Sequence, residues 1–418
     1  MAAKLLVEDK GWIVVKETVR LTIGAYYLAP YASTLEHVRD LAQCGIDVVM
    51  NMRNDRAALD LLAQNGVSAI VSGIVPGWFG GDGSNAGTMS EKNPLEKYAF
   101  AAERFEDHPA IIGIDAGDEP SSLDFPHYGK AIDVIHRRFP GKFAYLNIYP
   151  SYAVKGSNTP EEIAAQLGTD SYQEYIERYV RSVDTPYICF DYYLYSADLP
   201  GLYESLVTVS RACRETGRDM WMVLQVNSHQ PDRWISEKQL QFQANCALAF
   251  GARTIIWACY CAGWWYNHVL DKQGNKTQQY DKLRRVNAQL HAIGETYMQY
   301  QHLDTCFIGG FEPGEIAKAE IRKKNSLNIG YISDLHAQDE KLIVGVMKPY
   351  KGESEALFIV SADDSQDPQS RKHEVTFRSK AKRICMVDAA GKKELIGGVD
   401  GTYSFEIDSC QCAMLIAE

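Results

Sequence analysis

The sequence predicts an α/β fold, a (β/α)8 TIM barrel followed by a small C-terminal antiparallel β-sandwich. Eight short apolar runs lie within the first 305 residues, and most of them precede an amphipathic helical pattern. Such runs are typical of strands that are buried on both faces, and their alternation with helices indicates a parallel sheet. Eight units favour a closed barrel over an open sheet. We therefore assign residues 1–305 to the barrel and residues 306–418 to the sandwich.

The predicted barrel strands, in chain order, are Leu21–Tyr27, Asp47–Met52, Ser68–Val75, Ala110–Ile114 with an acidic extension, Phe143–Tyr149, Tyr187–Tyr193, Met220–Val226 and Thr254–Tyr260. Two of the helices between them have clear start and stop signals. Ser33-Thr34-Leu35-Glu36 has the pattern of a capping box, and Gly45 supplies the stop. Ser236-Glu237-Lys238-Gln239 is a second capping box, and Gly251 ends that helix.

Beyond the polar helix around residues 278–301 the pattern changes to short alternating runs, which predict an antiparallel sandwich. These runs are Leu342–Met347, Glu355–Val360, Glu374–Arg378 and Arg383–Val387.

Composition excludes several function classes. The net charge of −11 argues against non-specific binding to nucleic acid or to an anionic membrane. No apolar stretch reaches the roughly 18 residues that span a bilayer. The first ten residues lack the apolar segment of a secretory signal, so we expect a cytoplasmic protein whose ten cysteines are reduced. We interpret Cys259-Tyr260-Cys261 and Cys410-Gln411-Cys412 as buried thiols, and expect neither a metal nor an organic cofactor.

Asp118-Glu119-Pro120 is the strongest functional signal, because it follows the fourth predicted strand and active sites of such barrels lie at the C-terminal strand ends. Side chains alternate along a strand, so Asp115, Gly117 and Glu119 are expected on one face, and Asp118 on the other unless the strand end bends. Glu119 is therefore the better candidate for the pocket. A partly desolvated carboxylic acid there has a raised pKa and can protonate a leaving group. The structural alternative is that this pair caps the next helix or binds a basic neighbour.

Gly113-Ile114-Asp115-Ala116-Gly117-Asp118-Glu119-Pro120 resembles the strand-four motif of barrel glycoside hydrolases related to the β-galactosidase-like clan. The resemblance continues through Leu146–Pro150, Cys189–Tyr193, Leu224-Gln225 and Ile256-Trp257. It implies hydrolysis of O-glycosidic bonds in an oligosaccharide or glycoside, with a β-linkage favoured. It also implies that Glu119 is the general acid/base.

The chain departs from this clan at strand seven, where the clan has a Glu nucleophile and this sequence has Gln225. An amide cannot replace a carboxylate nucleophile, and glycoside hydrolysis normally uses two carboxylates. Asp191, at the end of the sixth strand, is the best second carboxylate. It could be a base, a nucleophile or a substrate anchor, and a purely structural role is nearly as well supported.

Two alternatives remain open from the sequence. Chitinase-like and hexosaminidase-like barrels use an acidic cluster on strand four, where an Asp orients the acetamido group of the substrate and a Glu is the acid. In that case Asp118 and Glu119 form the pair, Tyr192 or Tyr193 holds the intermediate, and no enzymic nucleophile is required. The missing Glu also fits a catalytically inactive, carbohydrate-binding barrel.

Aromatic and polar side chains near the strand ends are the candidates for binding sugar. A single ring is more often part of a barrel core than a platform, but a set of rings on one rim favours a carbohydrate cleft. The expected partner is thus a carbohydrate substrate, with no nucleic acid and no membrane, and a homo-oligomer stays open. The candidate substrate-binding residues are Tyr26, Asn51, Arg53, Trp78, Asn147, Tyr149, Tyr193, Gln225, Trp257 and Trp265.

Overall fold

The fold is described here from a computed structural model of the protein. The backbone alone is described for residues 5–8, 12–15, 99–102 and 154. The described residues are 5–8, 12–15, 20–78, 85–102, 108–154, 159, 166–316, 323–337, 340–398 and 400–418.

A closed barrel of eight parallel strands confirms the predicted fold class. Its strands follow an N-terminal antiparallel hairpin of β1 (Leu5–Glu8) and β2 (Trp12–Val15). They are β3 (Thr22–Tyr26), β4 (Val48–Arg53), β5 (Ser68–Ser72), β6 (Ile111–Asp118), β7 (Phe143–Ile148), β8 (Tyr187–Tyr192), β9 (Asp219–Gln225) and β10 (Ala252–Ala258). Each strand pairs with the next in the chain, and β10 pairs with β3 to close the barrel.

Helices follow all eight barrel strands. They are α1 (Leu35–Gln43), α2 (Arg56–Gln64), α3 (Met89–Lys92), α4 (Leu95–Ala102), α5 (Phe125–Arg138), α6 (Tyr172–Ser182), α7 (Leu199–Thr216), α8 (Glu237–Ala249) and α9 (Gln278–Tyr297). The capping box at Ser236 is confirmed, with both of its hydrogen bonds present. The box predicted at Ser33 is wrong by one residue. Thr34 is the N-cap and accepts a hydrogen bond from the His37 N–H, whereas the Ser33 hydroxyl donates to the carbonyl of Ala29.

Two hydrophobic layers hold the barrel together. Its interior is filled by side chains such as Met50, Ile70 and Tyr145. A second, larger core lies between the strands and the surrounding helices, and Ile114, Leu146 and other strand residues of the opposite parity belong to it. Successive side chains of a strand alternate between the two layers, so every second residue of a regular strand reaches the interior.

The C-terminal part consists of two sheets with a hydrophobic core between them, which confirms the predicted β-rich domain. The strands are β11 (Tyr300–Gly309), β12 (Lys323–Lys324), β13 (Leu327–Ile329), β14 (Ile332–Ala337), β15 (Lys341–Pro349), β16 (Glu355–Ser361), β17 (Lys372–Ser379), β18 (Ile384–Asp388), β19 (Gly391–Glu394), β20 (Thr402–Asp408) and β21 (Cys412–Ala417). A short helix, α10 (Pro313–Ile316), follows β11. The seven-stranded sheet has the order β12-β11-β15-β16-β21-β18-β19, and the four-stranded sheet the order β13-β14-β17-β20.

The seven-stranded sheet packs against the barrel with its other face. The rings of Tyr297 on α9 and Phe358 on β16 lie 5.3 Å apart, edge to face. A Cβ added to Gly345 on β15 would lie 2.5 Å from the carbonyl oxygen of Ala249 on α8, so the two backbones are in close contact there. Burial on both faces explains the continuous apolar runs in β15 and β16. The domain boundary at residue 305 stays a prediction, and β11 runs across it.

All ten cysteines lie among the described residues, and all are free thiols. Nine are buried and Cys412 is partly buried. In the part of the chain that the structure describes, we find no helix with the length and apolar character to cross a membrane.

Candidate active site

A β-bulge in the fourth barrel strand, β6, decides which acidic side chains face the barrel interior. Asp115 pairs with Tyr145 of β7, but the next pair is Gly117 with Leu146, so Ala116 is an extra residue. The insertion reverses the alternation, and Asp118, which pairs with Asn147, lies on the interior face together with Asp115. The expectation that Asp118 points away from Asp115 is therefore wrong.

Gly117 takes the outward position in the bulge. Its φ is +151°, and a Cβ added there would lie 2.7 Å from the Tyr128 hydroxyl on α5, so only glycine fits. Glu119 follows at the end of the strand with a φ of +44°, and its N–H donates to the Asn147 carbonyl at 3.0 Å. Positive φ is uncommon for a residue with a side chain and is concentrated at functional sites. The chain thus turns sharply where the two carboxylates stand.

Asn147, on β7, joins the acidic groups of two neighbouring strands. Its Nδ2 donates to Asp118 Oδ1 at 3.0 Å and to Asp191 Oδ1 at 2.9 Å. Its Oδ1 lies 3.6 Å from the Cys189 thiol, which can donate to it. This thiol fixes the amide so that both N–H groups face the carboxylates. Asn147 is 4% exposed and Asp191 is 1% exposed.

Asp191, on β8, lies near enough to the Glu119 carboxyl group to interact with it. Its Oδ2 also accepts a bond of 3.4 Å from the hydroxyl of Tyr152, in the short helical turn after β7. The structure therefore brings together the three predicted catalytic residues, Glu119, Asp191 and Asp118. Tyr152 was missed by sequence reasoning. Its only signal was its place in Tyr149-Pro150-Ser151-Tyr152, three residues after the end of the predicted strand.

The carboxyl groups of Glu119 and Asp191 both have raised pKa values. Burial raises the pKa of Glu119 well above its ordinary value, and the charges of Asp191 and Asp118 raise it further. Burial also raises the pKa of Asp191, followed by the charge of Asp118, whereas hydrogen bonds from Asn147 and Glu119 oppose that rise. Glu119 is thus the group that holds a proton, and Asp191, whose pKa rises to about 7, is the group that can ionise near neutral pH.

Two aromatic pairs stand near the carboxylates. Tyr26, at the end of β3, packs edge to face against Trp264, with ring centroids 5.5 Å apart. Tyr193, after β8, packs in the same way against Trp265 at 5.0 Å. Burial raises the pKa of both tyrosines most, followed by the charge of Asp118 for Tyr26 and that of Asp191 for Tyr193, so both hydroxyls are within electrostatic reach of the acidic group. These rings can form the walls of a sugar-binding cleft.

Gln225, at the strand-seven position where the resemblance implies a nucleophile, is fully buried and engaged in the fold. Its Oε1 accepts a hydrogen bond from the Tyr195 N–H at 2.8 Å, and its Nε2 donates to Ser196 Oγ at 3.1 Å. Both ends of the amide therefore hold the loop after β8. This placement corrects the expectation that Gln225 contacts substrate.

Changing Gln225 to Glu is expected to destabilise the protein by about 1–3 kcal/mol, because the donor to Ser196 is lost and a carboxyl group is buried in its place. The midpoint of urea unfolding measures the loss. Gln273→Glu, in an exposed turn, is the matched control and should change the midpoint little. Equal midpoints for the two variants would contradict the hydrogen-bonding role of Gln225.

Two other predicted binding residues, Trp257 and Tyr149, lie in the core between the strands and the helices. Trp257 is fully buried, and its indole N–H donates to Asn287 of α9 at 2.8 Å, so it packs between barrel and helix rather than in the pocket. Tyr149 is 5% exposed and its N–H donates to the Tyr175 hydroxyl of α6, which also places it in the helix-facing layer. These two placements correct the expectation of sugar platforms.

Three further candidates lie on the second barrel strand, β4, and in the segment after the third, β5. The Asn51 amide lies 3.5 Å from the Tyr26 hydroxyl and has a φ of +47°. Arg53 is exposed at the end of β4, and its charge lowers the pKa of the nearby Tyr27 against the larger effect of burial. Trp78 is partly buried, with the Lys92 ammonium 5.5 Å from its ring centroid. Their contact with a sugar stays a prediction.

Among the described residues, one cluster has the ligand types and spacing for a metal ion, and it lies in the C-terminal part. Glu340, Asp363 and His373 have ligand atoms within 4.8 Å of one another. The two imidazole nitrogens of His373 each lie 2.8 Å from one of the carboxylates, and Ser409 donates to Asp363 at 2.6 Å. The cluster is internally satisfied by these contacts.

No protein-family model and no curated protein matches this sequence. Solved structures do match in fold. A cycloisomaltooligosaccharide glucanotransferase of Paenibacillus sp., in complex with cycloisomaltoheptaose, has a TM-score of 0.55 at 8% identity, covering 96% of this chain and 85% of its own. A GH42 β-galactosidase from G. stearothermophilus has a TM-score of 0.53 at 9% identity, covering 96% and 98%. At such identities the likeness shows a shared fold, over nearly the whole chain.

Proposed function

We propose that this protein is a glycoside hydrolase in which Glu119 is the general acid/base and Asp191 is the second carboxylate. The observation that carries the proposal is the closeness of Glu119 and Asp191 at the C-terminal end of the barrel, where burial and the charges of Asp191 and Asp118 raise the pKa of Glu119. The two solved structures compared above belong to enzymes that act on sugars, a glucanotransferase and a β-galactosidase. Fold alone does not determine chemistry, so the acidic pair bears the argument.

The geometry supports a two-step reaction. Glu119 gives its proton to the glycosidic oxygen as the bond from that oxygen to the anomeric carbon breaks. Asp191, charged and held by Asn147, forms a bond to the anomeric carbon from the other side. Water then attacks that carbon, releases Asp191, and gives a proton back to Glu119.

The closeness of the two carboxyl groups favours retention of configuration. Inverting enzymes separate the two groups by about 6.5–9.5 Å to leave room for a water molecule, whereas retaining enzymes hold them about 5 Å apart. Glu119 and Asp191 are near enough to interact directly, which fits the shorter spacing better than the longer one. We therefore assign Asp191 the part of nucleophile rather than base. A β-linked substrate is favoured by the sequence resemblance.

A panel of α- and β-linked para-nitrophenyl glycosides and oligosaccharides tests the proposal. Wild type is expected to cleave at least one of them, and proton NMR of the first product should show the anomeric configuration of the substrate. A Glu119→Gln/Asp191→Asn double variant, purified identically, measures the background from host enzymes. An inverted product would remove Asp191 as nucleophile. Sugar binding by calorimetry without any cleavage would favour an inactive, carbohydrate-binding barrel.

A second candidate is a substrate-assisted, N-acetylhexosaminidase-like enzyme. The observation that favours it is Asp118, which stands beside Glu119 on the interior side and is oriented by Asn147. A carboxylate in that position can orient the acetamido group of a substrate, which then attacks its own anomeric carbon. Cleavage of N-acetylglucosaminides alone, with inhibition by a thiazoline analogue of the cyclised intermediate, would favour this route. Cleavage of glycosides with a 2-hydroxyl group would oppose it.

A further inference from the structure

Asp115 is a carboxyl group that the proposed reaction does not use. It lies on the interior face three residues before Asp118, and is partly buried. Burial, followed by the charge of Asp118, raises its pKa to about 8, so it is mainly neutral at neutral pH. Its Oδ1 accepts a hydrogen bond from the Gly117 N–H at 3.0 Å. An unreactive acid that binds the backbone of the bulge has a structural task next to the site.

The hydrogen bond is placed where the strand ladder is interrupted. The preceding strand, β5, pairs with β6 only as far as Ile114, and Ala116 is the extra residue opposite β7. A backbone N–H inside a bulge loses its ladder partner and needs another acceptor. Asp115 supplies that acceptor to Gly117 from within the bulge.

We propose that Asp115 is a positioning residue whose carboxyl group holds the β-bulge, and that the bulge directs Asp118 and Glu119 into the pocket. Without the extra residue, alternation would direct Asp118 toward the helices and away from Asn147. The activity readout below rests on the proposed function. Readouts of the bulge itself do not.

Two substitutions separate the hydrogen bond from the charge. Asp115→Asn keeps an Oδ1 acceptor and removes the titratable group, whereas Asp115→Ala removes the acceptor. Residue-resolved hydrogen exchange should show the Gly117 amide protected in wild type and in the Asn variant, and unprotected in the Ala variant. We expect kcat to fall by about 10- to 100-fold in the Ala variant, with a smaller change in KM, because the acid is misplaced. The Asn variant should recover most of this loss.

The effect of ionising Asp115 is measured separately, as the dependence of Tm on pH. The titratable groups facing Asp115 are Asp118 on its own strand, Tyr26 on β3, Tyr187 on β8 and Tyr128 on α5. None of them is cationic, so ionising Asp115 in the fold is unfavourable. Its folded pKa exceeds the unfolded one, so its stabilising contribution is lost as pH rises through the folded value. The Tm of the Asn variant should therefore rise relative to that of wild type between about pH 4 and about pH 8, and the difference should stay constant above that range.

Different results would overturn the positioning role of Asp115 and the proposed glycosidase activity. If wild type cleaves no glycoside but the Gly117 amide loses protection only in the Ala variant, the positioning role stands and the glycosidase is rejected. Equal protection and equal kcat in the Ala and Asn variants would overturn the positioning role. An Ala variant that does not fold is replaced by Asp115→Leu, which fills the space without an acceptor and is judged by the same two readouts.

Discussion

Replacing Glu119 with Gln is expected to lower kcat/KM by about 10²- to 10⁴-fold for glycosides with a poor leaving group, the range typical of general acid catalysis. Gln preserves the shape of the side chain but has no acidic proton. In the native site, burial and the neighbouring charges of Asp191 and Asp118 keep that proton on Glu119. The loss should therefore appear in the chemical step, while substrate binding changes little.

Dependence on the leaving group distinguishes a lost acid from general damage. A dinitrophenolate leaves without protonation, so its glycoside should be affected far less by Glu119→Gln than an alkyl glycoside. Glu353→Gln, in the exposed turn between β15 and β16, makes the same chemical change outside the barrel and should behave as wild type. An equal loss for all leaving groups would contradict the assignment of Glu119 as the acid.

The barrel could be predicted because its strands carry a strong and local signal. All eight predicted runs overlap the observed strands, and each starts within two residues of the predicted position. Short apolar segments buried on both faces have few alternatives once helices separate them. The helix start at Thr34 rather than Ser33 shows the limit of such signals, because two adjacent hydroxyl residues can each act as a cap.

One extra residue, Ala116, determines which way the acidic side chains of β6 point. Strict alternation predicts opposite sides for Asp115 and Asp118, and the extra Ala116 reverses this. A bulge is set by pairing with the neighbouring strand, so one strand's sequence does not specify it. Gly117 was the local hint, since glycine in a strand often marks a bulge.

The alternation of side chains along a strand could have corrected one other prediction, that Trp257 binds substrate. Ile256 is part of the interior core, so its neighbour Trp257 must face the helices, and the structure places it there. Gln225 was different. Parity gives no warning that its amide is bound by Tyr195 and Ser196, because those contacts depend on how the loop after β8 folds back. Sequence reasoning finds strand ends well and loop contacts poorly.

Replacing Asp191 with Asn is expected to reduce kcat by at least about 10³-fold, because an amide can neither attack the anomeric carbon nor stabilise its positive charge. Asn keeps the size of the side chain, and its one oxygen can replace Oδ1 as the acceptor for Asn147, while its NH2 group can donate to the Tyr152 hydroxyl. Asp133→Asn, on the exposed side of α5, is the matched control and should retain wild-type kcat. Sugar binding by calorimetry should survive in both variants.

The pH profile of the residual activity of Asp191→Asn gives a second test. The charge of Asp191 raises the pKa of Glu119, so its removal should lower that pKa and shift the alkaline limb of the pH profile to lower pH. A bystander carboxylate would leave this limb in place. Asp191→Ala with added azide completes the test, because azide can occupy the vacated space and attack the anomeric carbon. A glycosyl azide with inverted configuration is expected, and its absence with an unshifted pH profile would reject Asp191 as the nucleophile.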